Sequence, residues 1–258
     1  MDITSELTIV IPVRIDCRER KENLDSTICS LLGTTHSSII VLEAGREQKY
    51  SLSRQGERAK YFFIQDDDPI FHRTRYLNIL LKLSQTNIVG IWDTDVIVDA
   101  NQINVAADAV KKGITLSYPY DGRFLFLSKE QSNDVKNNVI GFFNDTNKDK
   151  VKVPTMGSPS VGGAFIVNKQ RYLQAGGENE NFYGWGPEDA ERFKRMEILG
   201  EPVSRVSGVL YHLHHPRGVN STYGNDERDK NNVKELIKIC GMNTIQLKGY
   251  VDTWNWKE

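Results

Sequence analysis

Ile88-Val89-Gly90-Ile91-Trp92-Asp93-Thr94-Asp95 is the stretch on which the fold turns. Its first five residues run without polar alternation and then stop on two carboxylates. An uninterrupted run is the pattern of a strand covered on both faces, as in a parallel sheet. Leu7-Thr8-Ile9-Val10-Ile11-Pro12-Val13, Ser38-Ile39-Ile40-Val41-Leu42 and Lys60-Tyr61-Phe62-Phe63-Ile64 read the same way. Helical spacing lies between them. Leu24, Ile28, Leu31 and Leu32 form one face, with Gly33 as a stop signal. Tyr76, Leu77, Leu80, Leu81 and Leu83 form another over 73–83. A third helix, about 101–112, ends in Lys111-Lys112-Gly113, with basic residues at the negative end of its dipole. Strands alternating with helices predict an α/β fold: a Rossmann-like, mostly parallel central sheet with helices on both faces. Ligands of such a sheet bind beyond the carboxyl ends of its strands.

Further along, 128–160 is rich in Ser, Asn, Asp, Lys, Gly and Pro and reads as a long functional loop, with Phe142 and Phe143 an isolated apolar pair. Order resumes with a strand over 161–167, a helix over about 187–199 and a strand over 202–213. A last helix over 226–240 has an expected core face of Val233, Leu236, Ile237 and Cys240. No linker divides the chain. The expected organisation is one catalytic domain over 1–258, with a nucleotide-binding half (1–115) and a half that completes the acceptor and metal sites (116–258).

Composition narrows the function. In 258 residues, 33 Lys and Arg balance 34 Asp and Glu, which gives no global reason to bind nucleic acid or an anionic surface. No apolar run approaches the roughly 20 residues of a membrane span. Cys17, Cys29 and Cys240 are odd in number and show no CxxC spacing, which fits a reducing compartment. The first residues lack a basic segment followed by an apolar one, so no signal peptide is expected.

Four constellations carry chemistry. Asp93 and Asp95, at the end of a buried strand, suit a hard divalent cation bridging a diphosphate. A solvated loop is the plain alternative. In Tyr211-His212-Leu213-His214-His215-Pro216, an extended chain would turn His212 and His214 to one side and His215 away. Imidazole with carboxylate suits manganese or another first-row metal; polar histidines on a surface strand are the alternative. Gly184-Trp185-Gly186-Pro187-Glu188-Asp189 combines a helix start with two glycines around an indole. That arrangement would let a ligand approach the backbone while sugar packs on the ring. A carboxylate beside it is a candidate general base. Arg14 follows the first strand, where it would read a base or phosphate unless it is a surface residue. Asp66-Asp67-Asp68, before Pro69, reads as a solvated turn.

Taken together, the motifs resemble those of GT-A-fold glycosyltransferases, above all the β-1,4-galactosyltransferases and related bacterial capsule and chondroitin-type transferases. The resemblance rests on Ile11-Pro12-Val13-Arg14, Phe71-His72-Arg73-Thr74-Arg75-Tyr76-Leu77-Asn78, Asp93-Thr94-Asp95, Gly162-Gly163, Gly184-Trp185-Gly186 with Glu188-Asp189, and His212-Leu213-His214-His215-Pro216. It runs from about residue 8 to 218. It implies a metal-dependent inverting transfer of a hexose or N-acetylhexosamine from a UDP-sugar to a saccharide or glycolipid hydroxyl. The implied metal is manganese, with magnesium second, on Asp95, His212 and His214. Asp189 is the implied base. The implied donor site is Pro12, Arg14, Glu43, Arg73, Asp93, Thr94, Ser160, Gly163 and Trp185. The implied acceptor site is Trp185, Gly186, Glu188 and Asp189. Ser160 stands where the galactosyl enzymes carry a bulky residue, which implies room for an N-acetyl group. The family's second arginine after Pro-Phe-Arg is Asp16 here, and its third acid after Glu-Asp is Ala190. No animal-type anchor or stem precedes the motifs, which implies a bacterial cytoplasmic enzyme of surface polysaccharide synthesis, with peripheral membrane contact the only membrane contact expected. A nucleotidyltransferase would need a Gly- and Lys-rich phosphate loop where Arg14-Ile15-Asp16-Cys17-Arg18 stands. A sugar-binding module without turnover is the non-enzymatic alternative.

Overall fold

Strands β1 (Leu7–Val13), β2 (Ser38–Gly45) and β4 (Ile88–Trp92) are buried along almost their whole length, as their unbroken apolar runs require. β3 (Ala59–Gln65) is an edge strand and shows partial exposure instead. The computed structural model describes residues 2–52, 58–143, 159–218, 220–222 and 226–257.

Helix α1 (Arg18–Thr34) connects β1 to β2, and α2 (Arg73–Leu83) leads into β4. α2 packs on β1 and β2. A short β5 (Val96–Ile97) follows β4, then α3 (Ala100–Lys111), β6 (Leu116–Tyr118), β7 (Arg123–Phe126) and α4 (Lys129–Asn137). After residues 144–158, which lie outside the described part, come β8 (Ala164–Asn168), α5 (Lys169–Gln174), α6 (Glu188–Leu199), β9 (Val203–Arg205), β10 (Val209–His212), α7 (Asp226–Cys240) and α8 (Thr244–Val251).

Among the described residues there are two sheets. The larger runs β3-β2-β1-β4-β8-β6-β9 and the smaller β5-β10-β7. The larger sheet is mostly parallel, as expected; β8 is antiparallel to both β4 and β6. That reversal matters for the site. It sets the residues before β8 against those after β4, and Asp93 N–H donates to Gly163 O at 2.8 Å.

Several expectations are corrected. The predicted loop over 128–160 contains α4, whose Ser128 and Gln131 cap each other reciprocally. The rest of that loop, 144–158, lies outside the described residues. Phe142 and Phe143 are not isolated: both rings meet Tyr211. Gly33 does not stop α1, because the Thr34 and Thr35 hydroxyls bond back to Ser30 O and Leu31 O and close the helix one residue later. The predicted strand over 202–213 is two strands in two sheets, broken at Gly208 with φ +131°. Gly163, at φ +81°, likewise delays β8 to Ala164. The face of α7 is also different. Val233, Ile237 and Cys240 are exposed, whereas Asn232 and Ile239 are buried. Asn232 is drawn inward by bonds with Tyr183 N–H and Tyr183 O.

Candidate functional site

A cleft of about 760 Å³ opens where β1 and β4 end and α6 begins. Of the candidate site residues, Pro12, Arg14, Arg73, Asp93, Thr94, Asp95, Ser160, Gly163, Trp185, Glu188, Asp189, His212 and His214 line it. Arg20, Pro187, His215 and Arg217 join them.

The two sheets bring the metal-type ligands together. His212, the last residue of β10, pairs with Val96 of β5, one residue after Asp95. Leu213 N–H then donates to Asp95 O at 2.8 Å. The chain leaves strand geometry at that point, so alternation no longer decides which imidazole faces the carboxylate. His215 does: its Nε2 lies 3.1 Å from Asp95 Oδ2, and His212 Nε2 lies 3.3 Å from Oδ1. Ligand atoms of Asp95, His212 and His215 all fall within 4.8 Å of one another. The expectation that His215 points away is therefore reversed. His214 lines the cleft without joining this group, and its Nδ1 is buried without a hydrogen-bond partner. Burial alone would raise the Asp95 carboxyl. The nearby His212, His215 and Arg20 outweigh it and hold Asp95 well below the usual range, ionised and ready for a cation. Burial pushes His212 down, whereas the Asp95 carboxylate draws His215 up. One carboxylate and two imidazoles form a donor set that fits a first-row divalent metal. Titration with manganese checks the assignment. His215→Ala is expected to lose at least roughly tenfold in affinity, and His214→Ala to stay near the parent.

Arg20, from the first turn of α1, was not singled out in the sequence. Its Nε donates to Asp16 at 2.8 Å and its Nη1 lies 3.6 Å from Asp95. A cation thus projects into the cleft from one turn beyond Asp16. The signal was present as an Asp–Arg pair at i, i+4.

Glu188 and Asp189 open α6, where the helix dipole favours negative charge. They differ sharply in surroundings. Glu188 is 6% exposed and its Oε2 has no partner; burial, with Asp189 beside it, pushes its carboxyl up to about 8, so it is protonated at neutral pH. Asp189 is clamped. Arg192 Nη1 donates to its Oδ1 at 2.6 Å, and Arg73 Nη1 lies 3.9 Å away. Arg192 is fully buried, held by Glu178 at 2.8 Å and stacked 4.2 Å from the Phe165 ring centre. Arg73 Nη2 donates to Asp93 at 2.6 Å, while its Nη1 is buried with no hydrogen-bond partner. On the other side of Asp189, a Cβ at Gly162 would collide with Oδ2. Tyr120 OH donates to Gly162 O at 2.6 Å, and Arg205 Nη1 donates to Ser160 O at 2.9 Å, which fixes the path of this segment. Arg192 was also missed, although it lies three residues from Asp189 on one helix face.

Two expected residues lie outside the cleft lining, and a third is engaged elsewhere. Glu43 is 1% exposed and its carboxylate accepts from Lys49 N–H, Tyr50 N–H and Tyr61 OH, anchoring the chain after β2. Gly186 has Asn232 of α7 packed where its side chain would be, so α7, and not a ligand, explains its size. Arg14 lines the cleft, yet its guanidinium bonds Ala44 O, Asp68 O and Asp66. Asp66 also accepts from Tyr76 OH, so it belongs to a half-buried brace, while Asp67 and Asp68 stay exposed as the solvated turn predicts.

A family model described as the N-terminal domain of galactosyltransferase matches residues 145–216. Beta-1,4-galactosyltransferase 7 of Mus musculus is 29% identical over 94 residues, 34% of this chain and 29% of that protein. Beta-1,4-galactosyltransferase 1 of Bos taurus is 37% identical over 49 residues, 19% of this chain and 12% of that protein. The chain thus spans less than a third of the length of the curated relatives it matches. A solved structure of mutant Drosophila β1,4-galactosyltransferase 7 with manganese, UDP-Gal and xylobiose superposes with a TM-score of 0.55, at 15% identity, over 87% of this chain and 78% of that one. The chain is galactosyltransferase-like and has the GT-A fold. Among the described residues, no helix is long and apolar enough to cross a membrane.

Proposed function

We propose that this chain is a manganese-dependent, inverting glycosyltransferase that moves a hexose or N-acetylhexosamine from a UDP-sugar to a saccharide or glycolipid hydroxyl. The observation that carries the reading is the meeting, in one cleft, of the Asp95–His212–His215 group and the clamped Asp189. The manganese, UDP-Gal and xylobiose held by the Drosophila relative support it. The same reading makes residues 1–115 the nucleotide half and 116–258 the half that completes the metal and acceptor sites.

Asp95, His212 and His215 would hold the ion, which supplies Lewis-acid stabilisation of charge on the departing diphosphate. Arg20 and Arg73 add fixed positive charge to the same cleft. Asp189 takes the proton of the acceptor hydroxyl as its oxygen attacks the anomeric carbon. The bond from that carbon to the phosphate oxygen breaks, and its electron pair leaves with UDP. Attack opposite the leaving group inverts the anomeric configuration. Glu188, protonated, donates a hydrogen bond to a sugar hydroxyl, and Trp185 offers a face for a sugar ring. The proposed setting is bacterial surface polysaccharide synthesis in the cytoplasm.

The test is UDP release across a panel of UDP-sugars with manganese, with and without a saccharide acceptor. Turnover is expected, and it stops in excess chelator. Binding of a UDP-sugar without UDP release would instead identify a sugar-binding module. Ser160 lines the cleft as a small residue, so the N-acetylated donors should have a kcat/KM at least equal to that of UDP-galactose. Ser160→Tyr should then shift preference toward UDP-galactose by about 1–3 kcal/mol. A parent that strongly prefers UDP-galactose would remove this assignment of Ser160.

A further inference from the structure

Helices α7 and α8 both pack on α6, and their inner residues Ile239, Leu247, Val251 and Trp254 form a buried cluster. Their outer residues are unusual for a surface facing only water. Ile237 is 65% exposed, Ile245 84% and Val233 41%. Val233 and Ile237 stand one turn apart on α7, and Ile245 lies in the first turn of α8.

Charge surrounds them. Lys230, Lys234 and Lys238 are exposed on α7, and Lys248 on α8. Steps of four residues place the three α7 lysines along one row beside Val233 and Ile237. The acids of α7 do not neutralise this row. Glu235 turns inward, where it accepts from Asn179, Asn181 and Tyr250. Asp229 lies 3.3 Å from Arg228. Among the described side chains of the two helices, Glu227 in the first turn of α7 is the exposed acid.

We infer that this face docks on an anionic lipid bilayer. Exposed isoleucine and valine bordered by lysines is the make-up of an interfacial helix. Apolar side chains enter the headgroup boundary while ammonium groups stay with anionic headgroups. Lys238 Nζ rests 3.6 Å from the Tyr250 ring centre, which leaves the exposed Lys230, Lys234 and Lys248 to meet the headgroups. The chain's near-zero formal charge of −1 argues for a local patch instead of a global field. The face is also placed to matter. Asn232 of α7 bonds Tyr183 O and packs against Gly186, so the docked helix holds the Trp185 side of the cleft close to the bilayer. The inference stands apart from the transfer reaction, since it concerns binding alone.

Co-sedimentation with vesicles tests it. The full chain should bind phosphatidylcholine vesicles containing phosphatidylglycerol, release as salt rises, and bind pure phosphatidylcholine at least roughly tenfold more weakly. Lys230→Gln with Lys234→Gln should weaken binding roughly tenfold or more. Ile237→Glu with Ile245→Glu should do the same through the apolar contact. All four positions are exposed, so melting temperature should stay near that of the parent, and UDP release in solution should be unaltered. Absence of binding to the anionic vesicles, or equal binding by parent and variants, overturns the inference. So does a parent that is dimeric in sedimentation and becomes monomeric in the isoleucine variant, because a second copy would then cover this face.

Discussion

Asp189→Asn is expected to lower kcat by roughly 10²–10⁴-fold, the usual contribution of a positioned general base, while donor affinity stays near the parental value. The substitution keeps the shape of the side chain and removes the proton acceptor. The amide can still sit between Arg192, 2.6 Å from Oδ1 in the parent, and Gly162, whose missing Cβ makes room for Oδ2. Binding of UDP, measured by calorimetry with manganese present, separates loss of chemistry from loss of the site. Kinetics of acceptor transfer supply the other half. Turnover within a few-fold of the parent would move the base away from Asp189, with Glu188 the next carboxylate in the cleft. Glu188 is the poorer base as it stands, since burial keeps it protonated at pH 7.

Asp95→Ala should abolish metal-dependent turnover, with a loss beyond roughly 10²-fold, because deleting a ligand costs more than disturbing its supporting bonds. Asp95 is the shared partner of His212, His215 and Arg20. Without it, two imidazoles and a guanidinium face one another with no anion between them, so cation affinity collapses. Manganese binding followed by electron paramagnetic resonance reads this directly, apart from turnover. A melting curve close to the parent's shows that the fold survives. Full activity of the parent in excess chelator, or unaltered manganese binding by the variant, would refute the metal assignment.

Much of the sheet is legible in the chain. The runs at 7–13, 38–42 and 88–92 become β1, β2 and β4, because a strand buried on both faces must be apolar at every position. The helix starts are equally local: Asp99 caps α3 by accepting from Asn101 N–H, and Pro187 precedes the acids of α6. Legibility fades where a residue's surroundings come from distant sequence. Residues 202–213 look like one strand, yet Gly208 lets them serve two sheets. Val233 and Ile237 look like core by spacing, and Asn232 takes the inward place because carbonyls near Trp185 need a donor there.

The same division runs through the cleft. By itself the sequence determined that an α/β sheet would end in Asp93 and Asp95, that a helix would begin at Glu188 and Asp189, and that histidines would cluster at 212–215. Each of these depends on residues adjacent in the chain, where periodicity and capping rules apply. Tertiary structure alone decided which histidine joins Asp95. β10 ends at His212, so the direction of His214 and His215 depends on packing against β5 and α1, where Asn23 Nδ2 donates to His214 O at 3.2 Å. It decided, too, that Glu43 would anchor a loop and that a buried Arg192–Glu178 pair would hold Asp189. A guanidinium with no exposure is stable only where a distant carboxylate meets it, and position along the chain does not record that meeting.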